Sequence, residues 1–479
     1  MSQLNSKIVK ATKWSTITEV IAKLITPVTS IILARLLTPD AFGVVTTLTM
    51  VITFAEIFTD AGFQKYLIQH QFVDETDREQ STNVAFWSNL IMSLVIWAVI
   101  AIFADPLAAL VGNPGLGYVL SISCISIPLA AFSSIQMALY KRDLDFKTLF
   151  KVRIVAICVP LFVTVPLAFY LRSYWALVLG TIVSNFANAV LLTVYSKWKP
   201  RLFYSFAKLK EMFSFSAWSV VEAISIWLTG YVDVFIIGIY LNEYYLGLYK
   251  TSMTIVGQIM GLITAATTPI LFSSLSRLQD DESAFNELFF KFQRLVGLCV
   301  IPIGVGMLCY SDLLTDILLG EQWLQTAPFI GLWGLTSAVT IVLSHYSSEV
   351  YRSKGRPKLS VLAQFLHLIV LAPAVYISIQ HGFETLYVTR SLVRLELILV
   401  NLLIMYLVIK ISPWQMLKNI SYPLIASVIM GIVAFSLKTL SPSLLWQLAS
   451  IVICACIYFA IVMINADNRK SLYSLISRK

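Results

Sequence analysis

Long, uninterrupted apolar runs alternate with short polar connections along this chain, and the runs recur fourteen times. They fall at 14–36, 41–63, 84–104, 116–138, 149–171, 174–195, 214–240 and 245–274, then at 292–310, 328–348, 360–380, 383–409, 420–437 and 445–464. A helix needs about 20 apolar residues to cross the hydrocarbon core of a bilayer, and the runs have about that length. Strands of a membrane barrel would instead alternate over segments of about 10 residues. The pattern predicts an all-α polytopic membrane protein of about 14 transmembrane helices.

The polar connections test that count independently, because inner loops of membrane proteins collect Lys and Arg. Every second connection is basic. Lys7, Lys10 and Lys13 precede the first run, and Lys65 and Arg78, then Lys141, Arg142, Lys147 and Lys151, follow at the next basic connections. Lys197, Lys199, Arg201, Lys208 and Lys210 come next, then Arg277, Lys291 and Arg294, and then Arg352, Lys354, Arg356 and Lys358. Lys410 and Lys418 complete the series before a basic tail, Arg469 to Lys479. The intervening connections are nearly bare: 105–115 and 311–327 hold no Lys or Arg. One missed run would reverse the alternation downstream, so the charges support the count and place both termini in the cytoplasm. Glu19 and Lys23 interrupt the first run and no small-residue cleavage pattern follows it, so it reads as a retained helix, not a signal peptide.

Composition agrees. Hydrophobic residues make up 58% of the chain, charged residues 13%, and mean hydropathy is +0.80, against roughly 25% charged residues in soluble proteins. The net charge of +9 follows from topology and contact with anionic membrane lipids. Its spread over many loops leaves no basic domain, so nucleic acid is not an expected partner. The six cysteines lie inside runs, without a CxxC pair, and are expected to be buried small apolar residues. His70, His345, His367 and His381 show no metal-ligand spacing, and the chain has no Walker lysine motif. The connection 311–327 carries Asp312, Asp316 and Glu321 but no His or Arg. No catalytic residue, metal or cofactor is expected, and a membrane enzyme is the weaker alternative.

Sliding the chain against itself by 204 positions aligns Trp14-Ser15 with Trp218-Ser219, Leu37 with Leu241 and Gly43 with Gly247. Each copy ends one long run and opens the next through a tight turn. Six runs separate the copies, so both halves have the same orientation, as parallel repeats do. The expected organisation is a six-helix lobe at 1–200, a second at 201–412 around a central cleft, and two additional helices with a cytoplasmic tail at 413–479.

The stretches 32–43 (ILARLLTPDAFG), 138–150 (ALYKRDLDFKTLF) and 351–359 (YRSKGRPKL), with the length and run count, resemble the polysaccharide flippases of the multidrug/oligosaccharidyl-lipid/polysaccharide exporter superfamily. The resemblance implies a bacterial inner-membrane transporter. Its cargo would be an undecaprenyl-diphosphate-linked oligosaccharide, moved by alternating access for surface polysaccharide biosynthesis. Membrane lipids and polysaccharide polymerase machinery are the implied partners. A multidrug exporter on the same scaffold is the alternative, and an integral-membrane glycan polymerase or ligase is the weaker one.

Ionisable groups inside the runs point to a pathway, because leaving one in lipid costs ~2.5–3.5 kcal/mol even on insertion scales. Lys23, Arg153, Lys250, Arg390 and Arg394 are the candidates for a cationic cleft that binds the diphosphate. Glu19, Glu56, Asp60, Glu222 and Asp233 are the candidates for H+ or Na+ coupling. Glu19 and Lys23, four apart on one helix face, also suit a local pair. Arg390 and Arg394, with the same spacing, suit either a two-pronged cationic face or snorkelling to head groups. Trp218, Trp227, Tyr231 and Trp333 are candidates to stack on sugars, against the interfacial belt that takes most membrane aromatics. Prolines inside the runs, among them Pro27, Pro160, Pro269 and Pro373, permit kinks.

Overall fold

The computed structural model describes residues 2–60, 62–465 and 469; the side chains at 2–12, 16, 214–219, 221 and 222 lie outside the described set. Among the described residues, fourteen helices are long and apolar enough to cross a membrane. The first six are α1 (Ser2–Leu36), α2 (Pro39–Asp60), α3 (Glu75–Ile102), α4 (Gly117–Arg142), α5 (Phe146–Leu171) and α6 (Trp175–Tyr195). Next come α7 (Phe206–Tyr240), α8 (Glu243–Arg277), α9 (Glu282–Cys309) and α10 (Glu321–Ser353). The last are α11 (Lys358–Ile379), α12 (Phe383–Ile409), α13 (Pro413–Lys438) and α14 (Leu444–Ile464). The chain is therefore a multi-pass membrane protein, with its spans where the apolar runs predict them.

Several spans depart from ideal geometry. A π turn, Pro160–Thr164, interrupts α5 at a proline that cannot donate to the ladder. A second, Ile341–His345, lies inside α10, and a third, Met405–Ile409, closes α12. Short helices at Phe63–Gln69, Ala104–Leu110 and Ser311–Leu318 fill the connections.

The chain divides into two compact units, Met1–Lys250 and Thr251–Lys479. In the first, α1 packs on α5, α2 on α3 and α7, and α4 on α3 and α6. Its core joins Val44 and Leu48 of α2 to Ile100, Val119, Leu120, Ile127 and Val178. In the second, α9 packs on α10 and α13, α12 on α10 and α11, and α13 on α14. There Leu298, Val305 and Tyr310 meet Ala426, Met430 and Tyr458. The division falls within α8. Internal repetition and compactness are different properties, and they need not cut a chain at the same residue.

Within the first unit the two repeat-related turns touch. A Cβ built on Gly43 would lie 1.8 Å from the Glu243 carbonyl oxygen, and one on Gly247 would lie 1.9 Å from that of Pro39. Both approaches are to backbone, so only glycine fits at either position. The 204-residue shift maps Pro39 onto Glu243 and Gly43 onto Gly247, so each contact is the image of the other. Reciprocity of this kind is the mark of a two-fold contact.

The cysteines need a correction. Cys124 and Cys454 are buried, but Cys299 and Cys456 are exposed and Cys158 and Cys309 intermediate; all six are free thiols. A span buries only the stripe facing its neighbours, and its outward face meets lipid, where a small apolar side chain needs no protein cover.

Candidate functional site

In the first unit the packing of α2 on α7 sets rings in a row. Phe58 meets Phe54 edge-on at 5.1 Å, Phe54 meets Trp227 at 4.7 Å, and Trp227 stacks on Tyr231 at 5.4 Å. The Trp227 indole donates to the Thr53 hydroxyl at 3.2 Å, fixing the ring. Lys250 of α8 ends the row, its Nζ 5.1 Å above the Tyr231 ring. Trp227 and Tyr231 are half-buried and Phe54 is exposed, so part of the row is open. Asp233 is not. It is 2% exposed, accepts from the Tyr249 hydroxyl at 2.6 Å, and lies sequestered between α7 and α8.

In the second unit, Arg390 and Arg394 of α12 converge on Trp333 of α10, at 5.0 and 3.9 Å from the ring centroid. Arg394 also donates to the Ser337 hydroxyl at 2.6 Å. At a rise of 1.5 Å per residue they lie about 10 and 16 Å along the helix from Phe383, deep in a hydrocarbon core of about 30 Å. Arg390 is 8% exposed; snorkelling does not describe it. Trp333 is itself held by Phe329, which stacks on Tyr387. A cation over an indole face gains ~0.5–2 kcal/mol, most when desolvated.

The other candidates are placed separately. Lys23 is half-buried on α1 and Glu19 exposed; Arg153 is exposed near the start of α5. Among the described residues, no hydrogen bond, ion pair or ring contact joins these three to either cluster. Glu56 is half-buried on α2, within electrostatic reach of Cys124. Asp60 ends α2 and accepts from the Gln64 amide at 3.4 Å, with Lys65 and Lys141 nearby. The side chains of Glu222 and Trp218 lie outside the described residues.

Many loop cations of the first unit are engaged in structure. Arg142 donates to the carbonyls of Leu67 and His70 at 2.6 and 2.8 Å, Arg78 pairs with Asp143 at 2.9 Å, Arg201 with Glu79 at 2.9 Å, and Lys208 with Asp77. Tyr66 donates to Glu211 at 2.9 Å; burial and that carboxylate push the phenol upward, so it remains a donor.

Two relationships escaped the reading of the sequence. His367 of α11, 4% exposed, is hydrogen-bonded to Glu396 of α12, Nδ1 to Oε2 at 2.8 Å. Tyr249 covers Asp233. Both follow from hairpin arithmetic: His367 lies fourteen positions before His381 and Glu396 fifteen after it, and Asp233 and Tyr249 each lie eight from Leu241. Residues equidistant from a tight turn between antiparallel helices sit at one depth.

Fourteen apolar spans with cations and aromatic faces fixed inside them define a polytopic membrane protein with polar groups built into its spans. The fold is that of a solved structure described as "Lipid II flippase MurJ, inward closed conformation", at a TM-score of 0.75 and 14% identity, covering 97% of this chain and 99% of that one. Teichuronic acid biosynthesis protein TuaB of Bacillus subtilis is 23% identical over 91% of this chain and 90% of its own length. Lipopolysaccharide biosynthesis protein WzxC of Escherichia coli is 21% identical over 78% and 75%. The profile of the family described as "Polysaccharide biosynthesis protein" matches residues 32–328, more than half the chain. The chain belongs to that family, and it is a membrane transporter of the polysaccharide-flippase kind, not an enzyme.

Proposed function

We propose that the protein flips an undecaprenyl-diphosphate-linked oligosaccharide across the bacterial inner membrane by alternating access, for assembly of a surface polysaccharide. The observation that carries this reading is the pair Arg390 and Arg394, held inside the span on the face of Trp333. A diphosphate is costly to bring into hydrocarbon unless cations meet it there, and an arginine fork suits phosphate geometry. Within the first unit, Lys250 ends the ring row, and the open aromatic faces beside it suit the apolar faces of sugars. The lipid chain stays in the bilayer throughout.

Alternating access needs two like-oriented halves that rock about a common axis, here 1–200 and 201–412 with 413–479 appended. The reciprocal contact of Gly43 and Gly247 supports such an axis through the two turns. On this reading the termini are cytoplasmic, and an ion gradient acts through one of the acids inside the spans, Glu56 or Asp233 foremost. The names of the relatives, which concern teichuronic acid and lipopolysaccharide biosynthesis, support a surface glycan as cargo; the lipid carrier and the polymerase machinery as a partner are part of the proposal itself.

The test is a deletion strain assayed for surface polymer and for lipid-linked repeat units retained on the cytoplasmic face. Retention that wild type relieves and Arg394→Ala does not is the expected result. Normal export of polymer in the deletion strain, with no second transporter present, would overturn the assignment. Ethidium efflux in the same strain distinguishes a drug exporter.

A further inference from the structure

We infer that the π turn of α10 builds a sugar-recognition subsite from His345, Thr268 and the Tyr346–Thr267 hydroxyl pair, separate from the cations that meet the diphosphate. The inference rests on the proposed function and adds to it where the glycan, not the phosphate, is read.

The first observation is exposure. Residues 341–344, 346 and 347 are all buried, and His345 alone in this stretch is exposed. An ionisable group inside a span faces a polar passage, not lipid. The second observation is the π turn itself, Ile341–His345, a feature that marks functional sites because its extra residue re-aims the side chains that follow. At about 100° per residue, His345 would lie about 120° around α10 from Trp333. The extra residue takes back about one residue's rotation and returns His345 to the side of the helix that carries Trp333.

The chemistry is that of a polyhydroxyl ligand. The Thr268 hydroxyl lies 3.4 Å from His345 Nε2, and Thr267 and Tyr346 share a hydrogen bond at 2.6 Å. Hydroxyls and a neutral imidazole both donate and accept, as sugar hydroxyls require. An anion would want cations, and the arginine whose charge reaches this imidazole, Arg352, is paired with Glu349 at 3.3 Å. His345 and Thr268 lie at matching depths, eight positions from Ser353 and nine from Arg277, the ends of their helices. Trp333 is twelve residues, about 18 Å, back along α10. A diphosphate at Arg390 and Arg394 would thus leave an extended head group within reach of His345.

The test uses the full chain in lipid nanodiscs and two probes: undecaprenyl diphosphate, and the same lipid carrying an N-acetylhexosamine-initiated oligosaccharide. His345→Leu combined with Thr268→Val is expected to weaken binding of the glycan-bearing lipid about tenfold, ~1.4 kcal/mol, and to leave the bare lipid within about twofold. Tyr346→Phe keeps the ring and removes one hydroxyl; it is expected to act in the same direction by about threefold. It serves as the second variant if the double substitution unfolds, with thermal melting as the check. Equal weakening for both probes, or none for the glycan-bearing one, would overturn the subsite. A wild-type protein that binds neither probe overturns the proposed function, and the subsite with it.

Discussion

The two cation–aromatic clusters use the same interaction in opposite ways. In the first unit a lysine on a flexible stem stands over Tyr231 at the end of a partly open row of rings. In the second, two arginines close on a buried indole, and one is also bonded to Ser337. Lysine is a compact, strongly hydrated charge that gives up a contact easily, whereas a guanidinium stacks and forks in a fixed plane. The difference teaches that burial decides the role. On the proposed function, the arginines would supply a preset field for the diphosphate and the lysine a movable contact beside surfaces suited to sugars. Each unit also holds a bonded acid on the helix that carries part of its cluster: Asp233 under Tyr249 in one, Glu396 against His367 in the other.

The largest effect should come from the preset field. Removing both guanidinium groups (Arg390→Ala with Arg394→Ala) is expected to lower transport at least about a hundredfold, since each charged hydrogen bond is worth ~1.5–3 kcal/mol. Arg394→Lys should recover little, because an ammonium cannot both stack on Trp333 and reach Ser337 in one plane; full rescue by lysine would break the distinction. Next, Lys250→Ala should cost about tenfold in the same flux assay, and here Lys250→Arg should retain most activity. A smaller effect is expected at the sequestered acid. A double-mutant cycle of Asp233→Asn and Tyr249→Phe, read by thermal unfolding, should give a coupling of about 1–2 kcal/mol; no coupling would mean that the bond does not hold α7 to α8. Smallest is Trp227→Ala. Loss of an aromatic face worth ~0.5–1.5 kcal/mol should reduce flux of glycan-bearing lipid about threefold to tenfold and leave undecaprenyl diphosphate unaffected.

The spans were legible because apolar length is nearly sufficient to identify a membrane helix. Their polar ends were not. Hydropathy starts the third and ninth runs at 84 and 292, whereas α3 and α9 begin at Glu75 and Glu282. The missing turns are polar helix projecting beyond the hydrocarbon. Their starts carry a readable signal, since Asp74 and Asp281 each accept the amide three residues on, at 2.6 and 3.0 Å, in the manner of N-caps. The glycines of the repeat were legible as a register but not as a contact; only the fold sets Gly43 against Glu243. Among the candidate site residues, Arg390, Arg394, Lys250 and Asp233 were singled out through the cost of charge in lipid. Their partners were not, because periodicity says which face a residue occupies and is silent about the neighbouring helix. His345 depends on a π turn, and no local composition marks the extra residue at 341–345.

The most direct measurement reconstitutes the purified protein in liposomes with a fluorescent undecaprenyl-diphosphate-linked oligosaccharide and follows its access to an impermeant quencher on one side. Wild type should equilibrate the lipid between leaflets, and the Arg390→Ala/Arg394→Ala protein, equally folded and inserted, should not. Equal movement by the two proteins would contradict the account, whatever the rate.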